Sequence, residues 1–203
     1  TLAVCAHNDG VLLYDISNAE NPSLTFSLPA DNAWSTAIYD DIIYIGDNND
    51  IRIYNISDLP SPSSIGTIET SNAIKDLAIS NDLLYVALGS DGVNVYDITT
   101  PQNPQYLDNF NTNTMAHRIV PFDNKLAVSD WEDVAILEWD GDSLLQVGYK
   151  NTGNRTMAIA AKDNFIYSAE WASVQVFEYG DVTYPDIDLS TWELNYPYVE
   201  NDS

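Results

Sequence analysis

VNVYDIT, Val93 to Thr99, is a line that the chain writes five times. It stands as VLLYDIS at Val11 to Ser17 and as IRIYNIS at Ile51 to Ser57, then in drifted form as VAILEWD at Val134 to Asp140 and VQVFEYG at Val174 to Gly180. Each copy alternates apolar residues with period two, as a strand with a buried face requires. The first residues of successive copies are 40, 42, 41 and 40 apart. A period held that closely is an internal repeat, and it decides how everything else is read.

Working outward from the third copy, one period holds four short apolar runs. The first is Ala73 to Ile79, followed by a tight turn at Ser80, Asn81 and Asp82, with Ser80-Asn81 as its aligned pair. Leu83 to Leu88, the GSDG loop at Gly89 to Gly92, the signature strand and a polar TTPQNP connection lead to a fourth run at Tyr106 to Phe110. The first turn recurs as Asp40-Asp41, Asp123-Asn124 and Asp163-Asn164. Asn and Asp tolerate positive φ, so these pairs suit two-residue hairpins. Pro22, Pro62, Pro104 and Pro185 each fall seven residues after Asp15, Asn55, Asp97 and Glu178. A proline entering an outermost strand is tolerated because that edge can spare an N–H.

No window shows a helical period with caps. Four short antiparallel strands in about 41 residues describe a β-propeller blade. The fold expected is therefore all-β, a propeller of four-stranded antiparallel blades over residues 1–183, with just under five blades. LYVALGSDGVNVYDITTPQNP (Leu84 to Pro104) resembles the pattern YVADGxxGLxVxDISxPxxP of the LVIVD-repeat family of bacterial and archaeal surface proteins. IYIGDNNDIRIYNISDLPSP matches it more loosely, and the last two copies depart from it, Asp-Ile-Ser/Thr becoming Glu-Trp-Asp and Glu-Tyr-Gly. First-type runs begin at Ala33, Ala73, Ala116 and Thr156, while the chain opens on a second-type run, Leu2 to Ala6. The first blade thus lacks its own inner strand, and ring closure by the C-terminal segment or by an upstream segment is expected. Residues 184–203, YPDIDLSTWELNYPYVENDS, read either as the last blade strand or as the opening of an immunoglobulin-like module.

Composition bounds the function. The 203 residues carry 31 Asp and Glu against 7 Lys and Arg, a net charge of −24 that repels phosphate backbones and anionic lipid. Nucleic acid and membrane insertion are excluded as partners, and no run approaches the roughly 18–20 apolar residues of a membrane span. Cys5 is the only cysteine, so no internal disulfide forms, and its LAVCA setting marks a small core residue. The chain starts at Thr1 in mid-strand, as a mature or excised piece would.

Enzyme motifs are absent: there is no phosphate loop, nucleophile elbow or zinc-spaced His/Cys set. The acidic loops Asp47-Asn48-Asn49-Asp50 and Asp130 to Asp133 offer the oxygen ligands that calcium takes, with Asp47, Asn49 and Asp50 as the candidate set, although neither loop matches an EF-hand. Solvated hairpin turns are the alternative. Aligned after the second run are Asp47, Asp130 with Trp131, and Glu170 with Trp171. Aligned at the start of the first run are Trp34, Ile74, His117 and Met157, followed by Ser35, Lys75, Arg118 and Ala158. The propeller resemblance implies that these two loop types open on one face near the axis. Trp34, His117, Arg118, Trp131, Trp171, Asp47, Asp130 and Glu170 would then form a recognition surface for a glycan or a protein. Packing between blades is the competing role for Trp131 and Trp171. Of the three sequons, Asn154 lies in a turn-like stretch and is the acceptor expected, whereas Asn55 sits where other copies have Asp.

The function expected is a non-enzymatic, extracellular or cell-surface module for binding or assembly, with self-assembly or neighbouring domains of a larger chain as further partners and no cofactor beyond calcium. The alternatives are a polysaccharide hydrolase or lyase with axial carboxylates, and a calcium-stabilised adhesion module.

Overall fold

In the computed structural model, which describes residues 1–180, the chain folds into five antiparallel sheets set side by side, with no helix among those residues. Both readings of residues 184–203 fall outside the described residues. Blade 1 is β1 (Leu2–Cys5), β2 (Val11–Asp15) and β3 (Ser23–Leu28); blade 2 is β4 (Ala33–Tyr39), β5 (Ile42–Asp47), β6 (Asp50–Asn55) and β7 (Ser63–Glu69). Blade 3 is β8 (Asp76–Ser80), β9 (Leu83–Ala87), β10 (Val93–Asp97) and β11 (Gln105–Phe110). Blade 4 is β12 (Ala116–Phe122), β13 (Lys125–Asp130), β14 (Asp133–Trp139) and β15 (Leu144–Asn151), and blade 5 is β16 (Thr156–Lys162), β17 (Phe165–Glu170) and β18 (Val174–Glu178). Strands follow chain order within every sheet, and blades 2 to 4 have the four strands read from the repeat. Blade 1 lacks the innermost one, as expected.

Period-two alternation works twice in each blade, because both faces of the sheet are covered. In β9, Leu84 and Val86 pack toward blade 2, while Tyr85 and Ala87 pack toward blade 4. In β13, Leu126 and Val128 face blade 3 and Ala127 faces blade 5. The hydrophobic core is therefore a series of slabs between blades rather than one centre. The end blades break the pattern. Leu2 and Val4 on blade 1, and Val174 (70% exposed) and Val176 (55%) on blade 5, present outward the faces that inner blades bury. Ile16 makes the same point: its counterparts Ile56 and Ile98 are buried against the preceding blade, and Ile16 is exposed.

The Asp-Ile-Ser line has a local cause. The side-chain oxygen of its acid or amide accepts the N–H two residues on, Asp15 from Ser17, Asn55 from Ser57 and Asp97 from Thr99, each at 2.8 Å. This turns the chain sharply out of the third strand, and Pro22, Pro62 and Pro104 then stand immediately before β3, β7 and β11. In blade 4, where Glu138-Trp139-Asp140 replaces that line, Asp140 takes over and accepts from Asp142 and Ser143. Asn55 is thus a turn-former.

The hairpins close as the sequence indicates, with positive φ at Asp40, Asp123 and Asp163. One differs: pairing of Ser80 with Leu83 moves the third turn to Asn81-Asp82, both with positive φ, so the expected Ser80-Asn81 placement is one residue early. At the other end of the strands, Gly10 (φ +80°) and Gly92 (φ +75°) close the NDG and SDG loops. A Cβ at Gly92 would lie 2.1 Å from the Phe110 carbonyl oxygen, so only glycine fits there.

Candidate functional site

Each inner strand starts beside the end of its neighbour: Ala33 pairs with Asp47, Ala116 with Asp130 and Thr156 with Glu170. The connections into the inner strands and the loops after the second strands therefore open on one end of the blades, as expected from the sequence. A repeated hydrogen bond then ties blade to blade at this end. His7, Asn48, Gly89 and Trp131 all have φ between 54° and 62°. That turn aims each carbonyl at the next inner strand, where it accepts from Ala33 (3.2 Å), Ile74 (2.8 Å), Ala116 (3.0 Å) and Thr156 (2.7 Å) respectively.

These bonds fix the true register of the repeat. Trp34, His117 and Met157 are bulged residues, skipped in the pairing between Ala33 and Ser35, Ala116 and Arg118, and Thr156 and Ala158. In blade 3, pairing starts at Asp76–Ala87, the equivalent of Ser35–Gly46, so Lys75 holds the bulge position. The sequence alignment that matched Ile74 with Trp34 and Lys75 with Ser35 is one residue out. A bulge re-aims one side chain out of the sheet. Four different residues occupy that position here: Trp34, Lys75, His117 and Met157.

Asp76, now in register with Ser35 and Arg118, joins three blades. Its Oδ1 accepts from Ser35 Oγ at 2.7 Å, its Oδ2 accepts from the Ile119 N–H at 3.0 Å, and Arg118 Nη1 lies 3.7 Å away. Arg118 also donates to the Lys75 carbonyl at 3.3 Å. His117 is half-buried with no hydrogen-bond partner on Nδ1. Burial pushes its pKa below the ordinary imidazole value; Arg118 and Lys75 press the same way, Asp76 opposes them, and Arg155 adds to the depression. The Arg155 guanidinium lies over Trp131, 3.5 Å from the ring centroid, and 6.0 Å from that of Trp171. Trp171 is 72% exposed and Trp34 46% exposed, so neither is consumed in packing between blades.

The three acids are held differently. Asp47 is buried, with Arg52 Nη2 at 2.6 Å and the Asp31 and Asn32 N–H groups on its oxygens. Asp130 accepts from the Thr114 N–H, and Glu170 accepts from Ser168 Oγ (2.5 Å) and Gln175 Nε2 (2.7 Å). All three side chains thus brace the loops from inside rather than joining Trp34, His117 and Trp171 at the surface. In the calcium candidate set, Asp47 already faces a guanidinium, and the Asn49 carbonyl accepts from Thr70. Among the described residues no three His, Cys, Asp or Glu side chains gather as a metal site. Asn154 is exposed, while the hydroxyl of its sequon partner Thr156 is buried 3.2 Å from that of Thr152. Cys5 packs into the slab between blades 1 and 2, and burial raises its pKa.

Sequence reasoning missed Lys75 through the register error and Arg155 altogether. Arg155 is one of only seven cations and directly precedes an inner strand, which was the available signal. A cleft of about 530 Å³ lies elsewhere, at the hairpin end between blades 4 and 5, lined by Phe122, Asp123, Asp163 and Tyr179. It brings together none of the residues above.

The LVIVD repeat family model matches residues 30–70 and 73–112, the spans of blades 2 and 3. Two blades of this chain thus carry the LVIVD repeat. No curated protein sequence matches the chain. Among solved structures, it is similar to the computationally designed Ika8 protein, with a TM-score of 0.70 at 14% identity over 87% of this chain and 55% of that one. It is also similar to the computationally designed Ika4 protein, with a TM-score of 0.62 at 14% identity over 73% of this chain and 91% of that one. The chain thus spans about half the length of Ika8, and at this identity the likeness is one of fold alone.

Proposed function

We propose that this propeller is a non-catalytic binding module of a secreted or cell-surface protein, and that its ligand, a glycan or a protein, is held at the loop end near the axis. One observation carries the reading. Positions that hold the scaffold repeat from blade to blade, while the bulge position aimed out of it is Trp, Lys, His and Met in turn. Exposed aromatics flanked by polar groups are what a recognition surface uses. A hydrolase is disfavoured because the carboxylates that would serve as its acid and base are already engaged, Asp47 by backbone N–H groups and a guanidinium, Asp130 by a backbone N–H, and Glu170 by Ser168 and Gln175. The net charge of −24 also disfavours nucleic acid and anionic membrane. The test is a glycan and peptide binding screen on the chain and on its Trp34→Ala and Trp171→Ala variants. The reading requires hits that both substitutions weaken; hits indifferent to both would remove this face from the account.

Assembly is a second reading, supported by the exposed apolar faces of blades 1 and 5. Sedimentation across a hundredfold concentration range tests it: a constant monomer mass excludes self-assembly.

A further inference from the structure

The junction of blades 3 and 4 is built from two unlike faces. Blade 3 turns Tyr85, Val93 and Val95 toward the blade after it, and blade 4 turns Leu126, Val128 and Leu137 toward the blade before it. All six side chains are 5% exposed or less. The outer faces of blades 5 and 1 repeat both halves of this junction, position by position. Ala169 pairs with Val174 as Ala87 pairs with Val93, so Tyr167, Val174 and Val176 hold the places of Tyr85, Val93 and Val95. Leu2 pairs with Tyr14 as Leu126 pairs with Leu137, so Leu2, Val4 and Tyr14 hold the places of Leu126, Val128 and Leu137.

The residue types nearly coincide. Tyr, Val and Val recur unchanged, and Leu, Val and Leu become Leu, Val and Tyr. Ile16 extends the blade 1 face, since Ile56 and Ile98 in its register reach into the slab shared with the preceding blade. Yet Tyr167, Val174, Val176, Leu2, Val4 and Ile16 are all exposed. None of these positions is charged, in a chain that carries 31 acids. A sheet face meant to stay in water is blunted by charge, and a repeat array that stops in solvent ends on a polar outer face. Neither outer face here has that protection. One molecule therefore presents the two complementary halves of a junction at opposite ends of its row of blades, and a second copy supplies the missing complement to each.

We propose that copies of this chain dock head to tail, the outer face of blade 5 in one against the outer face of blade 1 in the next, in the manner of the junction between blades 3 and 4. This rests on the assembly reading and deepens it by naming the partner and the two faces that meet. A contact between unlike faces leaves one of each kind free, so growth continues until the assembly closes on itself. Blade 1 has no inner strand, which makes this junction smaller than an internal one, and association therefore depends on concentration.

The test is sedimentation from about 5 to about 500 µM on wild type, on Val176→Asp and Val4→Asp, and on an equimolar mixture of the two variants. Each variant is first shown to melt cooperatively; Ile16→Asp, outside any strand, replaces Val4→Asp if that one does not. Wild type should gain mass with concentration, and each variant alone should associate at least about tenfold more weakly. The mixture keeps one intact junction, Val176 of one chain against Val4 of the other. It should recover wild-type affinity and stop at two chains. A constant monomer mass for wild type would overturn this inference and the assembly reading together. Undiminished association of either variant alone would mean that like faces or other surfaces pair, and a mixture no more associated than its parts would mean that the two faces do not meet. Either result would overturn the head-to-tail contact and leave assembly standing.

Discussion

Ser35 and Asp76, 41 residues apart in the chain, meet across a blade junction through a 2.7 Å hydrogen bond between Oγ and Oδ1. The other oxygen of the same carboxylate takes the Ile119 N–H, 43 residues further on. One side chain thus spans the inner strands of blades 2, 3 and 4 at the end where the candidate face forms. Asp76→Ala leaves the Ser35 hydroxyl and the Ile119 N–H short of an acceptor, while the Leu77 N–H keeps Ser35 Oγ, and should cost about 2–4 kcal/mol in urea unfolding. Asp76→Asn keeps one acceptor oxygen and should cost about half as much. An alanine variant within about 0.5 kcal/mol of wild type would mean that the junction does not depend on this contact.

Slabs of core between blades give a second expectation. Ile53 and Val176 hold the same place in the repeat, Ile53 fully buried against blade 3 and Val176 with its face open. Ile53→Ala should destabilise by about 2–5 kcal/mol, and Val176→Ala by under about 1 kcal/mol. Equal losses on chemical unfolding would show that the outer face of blade 5 is covered.

Tyr44 is fully buried, and its hydroxyl has no partner. Desolvation raises its pKa to about 12. Because the neutral form is the one favoured in the fold, stability linked to this group is full below pH 10 and is lost as pH rises from about 10 through 12. Tyr44→Phe removes the unsatisfied hydroxyl, so it should leave stability unchanged or raise it by up to about 1 kcal/mol, and should flatten the alkaline limb of the melting profile. A loss above about 1 kcal/mol would indicate a hydrogen bond that the hydroxyl makes in solution.

His117 has a depressed pKa, set first by burial and then by Arg118 and Lys75, with Asp76 opposing and Arg155 adding. Between its folded value and about 6.5 the unfolded chain binds more protons, so stability from this group is full above about pH 6.5 and falls as pH drops toward the folded pKa. Acidification also relieves the mutual repulsion of a −24 chain, which acts in the opposite direction. The difference between wild type and His117→Gln isolates the imidazole. On going from pH 7.5 to 5.5, the variant's melting temperature should rise more, or fall less, than that of wild type. Parallel curves would contradict the burial of a neutral imidazole among cations.

Much of this architecture is legible in the sequence because blades bury both faces of every central strand, so period two and a spacing near 41 are imposed together. β4, β12 and β16 run over the residues first read as inner strands: 33–39, 116–122 and 156–162. The third inner strand slipped for a concrete reason. Asn72-Ala73 looks like Asn32-Ala33, but the connection before β8 is one residue longer, so Ile74 rather than Ala73 takes the blade-to-blade bond. Hydrogen bonding, which sequence similarity does not report, decides the register. The acids were misread as ligand-facing for a similar reason. A carboxylate at a loop looks the same in sequence whether it faces solvent, as a ligand would need, or turns inward onto Arg52 and N–H groups, as Asp47 does. Arg155 went unnoticed because its partner is an aromatic ring, Trp131, from the adjacent blade.

The most direct test of the account is amide chemical-shift mapping of the chain with the best ligand from the screen. Shifts gathered at Trp34, Lys75, His117, Trp131, Arg155, Met157 and Trp171 are the expected result. Shifts centred on the hairpin turns at Asp40, Asn81, Asp123 and Asp163, with the loop end silent, would contradict it.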